Sequence, residues 1–120
     1  MSMNRSNRPE QELMKMIVDT LDDKKALNIV SLDLHNLSFV TDYYIICHGN
    51  SDRQVQALSD AVVERVEKAG YQVRGIEGVD TSRWILIDIG DVVVHIFHRE
   101  DREYYNLERL WSDAKVVELV

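Results

Sequence analysis

A single cysteine, Cys47, cannot close an internal disulfide, and a chain without disulfides fits a reducing, cytoplasmic setting. Long apolar runs are missing as well. Those present, such as Ile85–Ile87 and Val92–Val94, are far too short to cross a bilayer, so no membrane partner is expected. The opening residues Met1–Arg8 are polar, carry two arginines and hold no apolar stretch, which does not fit a secretory signal. Basic charge is scarce: 14 Lys and Arg stand against 21 Asp and Glu, a net charge of −7. Proteins that grip nucleic acid do so chiefly with Lys and Arg on phosphates. Direct sequence-specific nucleic-acid binding is therefore not expected, and a basic protein partner is. The five glycines form no Gly-rich phosphate loop, no D-x-D carboxylate pair occurs, and no lysine neighbours Gly49. These absences weigh against a nucleotide- or phosphate-handling enzyme, which stays as the alternative reading.

What is present describes one domain, since 120 residues bury one core and not two. Residues 1–8 read as a flexible leader, 9–114 as the domain and 115–120 as a C-terminal tail. Pro9 suits the first turn of a helix, where its missing N–H costs nothing. Leu13, Met16, Ile17, Thr20 and Leu21 then share one helical face, which predicts a helix over 9–24. Leu27–Leu34 reads as a strand. Thr41–Gly49 contains the nearly all-apolar Tyr43–Cys47 and reads as a central strand covered on both faces. Ser51 and Gln54 make a capping-box pattern, Val55, Leu58, Val62, Val66 and Ala69 form a stripe, and Gly70 is a stop; the helix is predicted over 51–69. Tyr71–Ile76 as a strand would complete a βαβ crossover. Arg83–Ile89 and Val92–His98 flank Gly90-Asp91, a tight-turn signal for an antiparallel hairpin. Asp101–Ala114 reads as a helix, with Tyr104, Leu107, Leu110 and Trp111 on one face. The fold class is α/β: a mixed five-stranded sheet with flanking helices, in the order α-β-β-α-β-β-β-α.

Several residues invite chemistry. His48-Gly49-Asn50-Ser51 joins a strand to a helix N-terminus and could hold a phosphate, but an ordinary capped turn explains it. His95 and His98 are three apart on a strand, so they point to opposite faces and cannot share one metal. Cys47 lies in an apolar strand, where a thiol acts as a small hydrophobe. Asp88 and Asp91 flank a turn at a spacing that suits backbone needs better than a shared Mg²⁺. No catalytic, cofactor or metal residue is assigned.

Charge is uneven. Residues 76–101 hold Arg83 and Arg99 against Glu77, Asp80, Asp88, Asp91, Glu100 and Asp101, a balance of −4 out of the total −7. Within this stretch, alternation puts Trp84, Leu86 and Asp88 on one face and Ile85, Ile87 and Ile89 on the other. The isoleucines read as core. The Trp84 face is either a docking hot spot inside an acidic field or a face covered by a helix, and both stay open.

Thr41–Cys47, Gly49–Val55, Glu77-Gly78, Trp84, Gly90–Phe97 and Arg102–Trp111 occur in the order and spacing of a known family. Over residues 11–114 the chain closely resembles the ribosomal silencing factor family, also called the Iojap or RsfS family. His48 stands where many members have a small or hydroxyl residue, and the leader is variable. The resemblance implies a nucleotidyltransferase-like fold without known enzymatic activity. It implies binding to protein fourteen of the large ribosomal subunit (uL14), steric block of small-subunit joining and lowered translation when nutrients are scarce. It also implies homodimers. No motif spells out the contact residues. Trp84, Leu86, Asp88, Asp91, Glu77 and Asp80 are taken as the contact region, and the stripe of Tyr104, Tyr105, Leu107, Leu110 and Trp111 reads first as packing against the sheet.

Overall fold

The first two helices form where the apolar spacing predicts them. In the computed structural model, which describes residues 9–35, 37, 41–106, 109 and 114–117, α1 runs over Pro9–Asp23 and α2 over Asp52–Lys68. α1 buries Leu13, Met14, Ile17 and Leu21, while Met16 and Thr20 of the expected face are only half-buried because Met14 takes the core place beside Leu13, and α2 buries Val55, Leu58, Ser59, Val62 and Val66. The Gln54 backbone N–H donates to Ser51 Oγ at 3.1 Å, so Ser51 caps α2. The Gln54 side-chain oxygen accepts from the Asn50 N–H at 2.7 Å, so the reciprocal arm of the box lands one residue before the cap. At the other end Gly70 takes φ +95°, its N–H donates to Glu67 O, and the Tyr71 N–H donates to Val66 O. This pair of bonds is a Schellman end, which uses the left-handed conformation glycine adopts without strain. Ala69, expected in the apolar stripe, is instead the exposed C-cap.

Six strands form one sheet: β1 Leu27–Asp33, β2 Tyr43–Gly49, β3 Gly75–Glu77, β4 Trp84–Asp88, β5 Val92–His98 and β6 Lys115–Val116, in the order β3-β4-β5-β2-β1-β6. The sixth corrects the expected count of five. Lys115 and Val116, expected in the tail, lie antiparallel to β1, and the Val117 N–H donates to Ser31 O at 2.8 Å. Two residues are too few to show alternation, so the strand exists only through its partner. β2 and β5 pair in parallel, and every other pair among the described residues is antiparallel.

β3 runs parallel to β2, as a crossover requires, but β5 and β4 lie between them. It is also shorter than the predicted Tyr71–Ile76. Tyr71 and Val73 pack on the core instead of joining the ladder. The β4–β5 hairpin closes as expected: the Ile89 N–H donates to Val92 O at 3.0 Å around Gly90, whose φ is +92°. Glycine at the first central position suits the primed turns that match strand twist.

α3 covers Arg99–Tyr105, starting before the expected Asp101 because His98 Nδ1 accepts from the Glu100 N–H at 3.3 Å and caps it. It stops at Asn106, which adopts φ +45°. The stripe read on Tyr104, Tyr105, Leu107, Leu110 and Trp111 falls outside the described side chains, as does the leader 1–8.

α1 and α2 cover one sheet face. Their buried residues join Tyr43, Ile45, Cys47, Ile85, Ile87, Val92, Val94 and Ile96 in the main core. The opposite face holds a smaller cluster, Leu32, Leu34, Ile46 and Phe97, with Val30, Tyr44, Trp84 and Ala114 packed against it.

Candidate docking face

Strand register assembles the second face in rows. Glu77, Leu86, His95, Ile46 and Val30 lie side by side across β3, β4, β5, β2 and β1. Trp84, Phe97 and His48 form the row on one side, and Asp88, Val93, Tyr44 and Leu32 the row on the other. The alternation predicted for β4 holds: Ile85 and Ile87 are buried in the main core, while Trp84, Leu86 and Asp88 are half-buried. Neither of the two readings left open for Trp84 is complete. The indole is neither free-standing nor roofed by a described helix; its own sheet neighbours hold it.

Trp84 stacks on Phe97 at 5.0 Å between centroids and 25° between planes. Its Nε1–H donates to His95 Nδ1 at 3.0 Å, a diagonal cross-strand contact. Tyr44 sets its ring edge-on to the imidazole at 4.4 Å. His95 is 2% exposed, and burial pushes its pKa down to about 4, so it is neutral near pH 7. With Nδ1 accepting, the ring proton sits on Nε2, which has no partner among the described residues.

Glu77, Gly78, Trp84 and Leu86 line a shallow cavity of about 220 Å³. Gly78 has φ +88°, and a Cβ there would collide with the Trp84 carbonyl oxygen, so only glycine lets the loop pass this close to β4. The acidic residues divide. Glu77 borders the indole. Asp88 accepts from the Gly90 N–H at 2.8 Å and braces the hairpin turn. Asp91 is exposed at the tip of that turn, and Asp80 is exposed in the β3–β4 loop at the other end of β4. Glu100 and Asp101 do not join this field, because Arg83 pairs with them at 2.9 and 2.8 Å. That pairing lowers the Glu100 pKa and raises that of Arg83. The acidic rim is thus narrower than its sequence count.

The other candidates resolve structurally. His95 and His98 point to opposite faces, and His98 caps α3. Cys47 is fully buried, with burial pushing its pKa up to about 12, so it stays a thiol. His48 Nδ1 lies 2.9 Å from Arg102 Nη1, which also reaches Leu27 O at 3.2 Å. A larger cavity, about 540 Å³, lies beside His48 with Asn28, Arg99, Glu100, Arg102, Glu103 and Asn106 around it. Its two arginines face two glutamates, so it carries no clear charge preference. Sequence reading missed Phe97, Tyr44 and His95 as the supports of Trp84; period-two alternation marks their face but not which neighbour each one touches.

Burial of His95 sets an acid sensitivity. The unfolded chain takes up a proton near the ordinary imidazole value of 6.5 and the folded one only near 4. The stabilisation is therefore complete above about pH 6.5 and lost as pH falls toward 4, about 2 kcal/mol between pH 7 and pH 5. His35 acts oppositely. Its pKa is raised by Asp33 at 2.6 Å, so its contribution is present in acid and lost as pH rises. Urea unfolding of the parent and of His95→Leu at both pH values isolates the His95 share. The variant is expected to lack that loss, and parallel pH profiles would contradict it.

The fold and this face define the class: an α/β domain with two helices on one side of a mixed sheet and a half-buried aromatic face on the other. Residues 7–120 match the family model described as ribosomal silencing factor during starvation. The chain is 47% identical over 110 residues to the ribosomal silencing factor RsfS of Bacillus subtilis, covering 92% of this chain and 93% of that protein. A crystal structure of a Chromobacterium violaceum protein matches with TM-score 0.83 at 37% identity, covering 92% of both chains. A more distant mouse relative, named mitochondrial assembly of ribosomal large subunit protein 1, is 32% identical over 101 residues, covering 81% of this chain and 44% of its own. The chain belongs to the ribosomal silencing factor family, RsfS.

Proposed function

We propose that this protein binds uL14 on the large ribosomal subunit in the cytoplasm and, by occupying that surface, keeps the small subunit from joining, so that translation falls. It acts by exclusion and not by catalysis. The observation that carries the reading is Trp84. The indole is half-buried, fixed by Phe97 and His95, and bordered by Leu86. A pre-fixed aromatic beside an apolar neighbour is what an interface hot spot needs. Glu77, Asp80 and Asp91, which make no ion pair among the described residues, supply a negative rim for a basic ribosomal protein. The family description and the mouse relative's name both point to the ribosome, and the latter to its large subunit.

Sucrose-gradient sedimentation tests this. Added protein should travel with the large subunit and deplete joined ribosomes; comigration with neither subunit would overturn the reading. Asp91→Lys should slow association and flatten its salt dependence while leaving dissociation nearly unchanged, as rim charges do. Stopped-flow association with large subunits at two salt concentrations measures this. The alternative, a phosphate-handling enzyme, draws on the 540 Å³ cavity near Arg99 and Arg102. Its discriminating result is calorimetric binding of ATP or GTP with Mg²⁺, which the docking reading expects not to occur at low micromolar concentration.

A further inference from the structure

β5 is buried along its whole length, and its residues Val92–Phe97 are apolar except one. That one is His95, set in the middle of the sheet between Leu86 on β4 and Ile46 on β2. A valine or isoleucine would fit a doubly covered strand without stranding a polar atom. The imidazole instead leaves Nε2 buried with no partner among the described residues. Buried polar groups left incompletely satisfied mark places where stability has yielded to another requirement. The hydrogen bond His95 does make goes to the Trp84 indole.

We propose that His95 is a positioning residue of the docking face: it does not touch the partner, and its Nδ1 lone pair holds the Trp84 indole in the one orientation that docks. This rests on the docking reading above. The physical reason is geometric. Stacking on Phe97 constrains the plane of the indole more than its rotation within that plane. A hydrogen bond at the Nε1 edge, 3.0 Å long, opposes that rotation. The imidazole is itself confined by the edge-on Tyr44 ring on the β2 side. An indole already held in place gives up less conformational freedom on binding, so preorganisation appears as affinity. At 2% exposure His95 offers the partner almost no surface, and its effect must pass through Trp84.

Two variants separate this from a packing role. His95→Leu keeps bulk and removes the acceptor. His95→Asn places a side-chain oxygen close to where Nδ1 sits and restores one. Both are titrated against purified large ribosomal subunits beside Trp84→Ala. In parallel, ¹H–¹⁵N spectra follow hydrogen exchange at the Trp84 indole N–H, with Trp111→Phe assigning the second indole signal. His95→Leu is expected to fold, to weaken binding about tenfold, and to speed indole exchange; His95→Asn is expected to recover most of both. If Trp84→Ala is weak while His95→Leu binds like the parent, docking stands and the positioning role is overturned. Equal weakness of the Leu and Asn variants overturns it too, because the acceptor is then not what matters. If His95→Leu fails to fold, the Asn variant decides alone: parent-like binding with parent-like indole exchange supports the role, and loss of either overturns it. If Trp84→Ala binds like the parent, the docking reading itself falls, and this inference with it.

Discussion

Trp84→Ala is expected to weaken binding to the large subunit about thirtyfold, ~2 kcal/mol, the usual threshold of an interface hot spot. The domain should stay folded, though not untouched. Truncation removes the stack on Phe97 and leaves His95 Nδ1 without its indole donor, so a cost of about 1–2 kcal/mol in stability accompanies the loss of affinity. Trp84→Phe sharpens the test, since it keeps a ring on Phe97 but has no N–H; it should fall between parent and Ala in affinity. Binding titrations at two salt concentrations, each beside a thermal melt, read both quantities. A folded Trp84→Ala protein that binds like the parent would move the contact off this face.

The second large effect is conformational. Gly78→Ala is expected to destabilise the protein by about 3 kcal/mol, because the new Cβ faces the Trp84 backbone carbonyl at a φ of +88°. Backbone on both sides leaves little to give way. Relief requires moving the start of β4, which carries the indole, so docking should weaken along with stability. Gly70→Ala is the control. It has φ +95° but open space around the added atom, so only the left-handed backbone penalty of about 1–2 kcal/mol applies. Urea unfolding of the two variants compares them directly. Equal losses would show that the collision with Trp84 is not felt and that the β3–β4 loop is freer than its packing indicates.

The acidic rim shows how a count read along the chain differs from a surface. Glu100 and Asp101 belong to the acidic stretch by position, yet Arg83 pairs with both. Asp88 spends its carboxylate on the hairpin turn. On the docking reading proposed above, steering is expected mainly from Glu77, Asp80 and Asp91, which make no ion pair among the described residues. The last two lie at opposite ends of β4, which spans about five residues or ~17 Å. A basic partner that meets both charges must lie along the strand, across the indole.

Features set by neighbours a few residues apart were legible in the chain itself. The Ser51–Gln54 cap, the Gly70 stop, the Gly90-Asp91 turn and most of the buried stripes of α1 and α2, Met14 and Ala69 apart, each depend on contacts within about one helical or hairpin turn, so residue type and spacing were enough. The motifs that mark the family were equally visible, because they are runs of sequence. Tertiary structure alone decided the rest. β3 joins the sheet with two strands between it and β2, and β6 exists only because β1 offers an open edge. Arg102 meets Leu27 and His48 across separations of 75 and 54 residues. His95, which from its spacing could be weighed only as a metal ligand, serves instead as the acceptor for an indole eleven residues earlier. A two-residue period tells which face a side chain takes; which neighbour it meets there depends on strand order and register, and these are settled only when distant segments pack into one core.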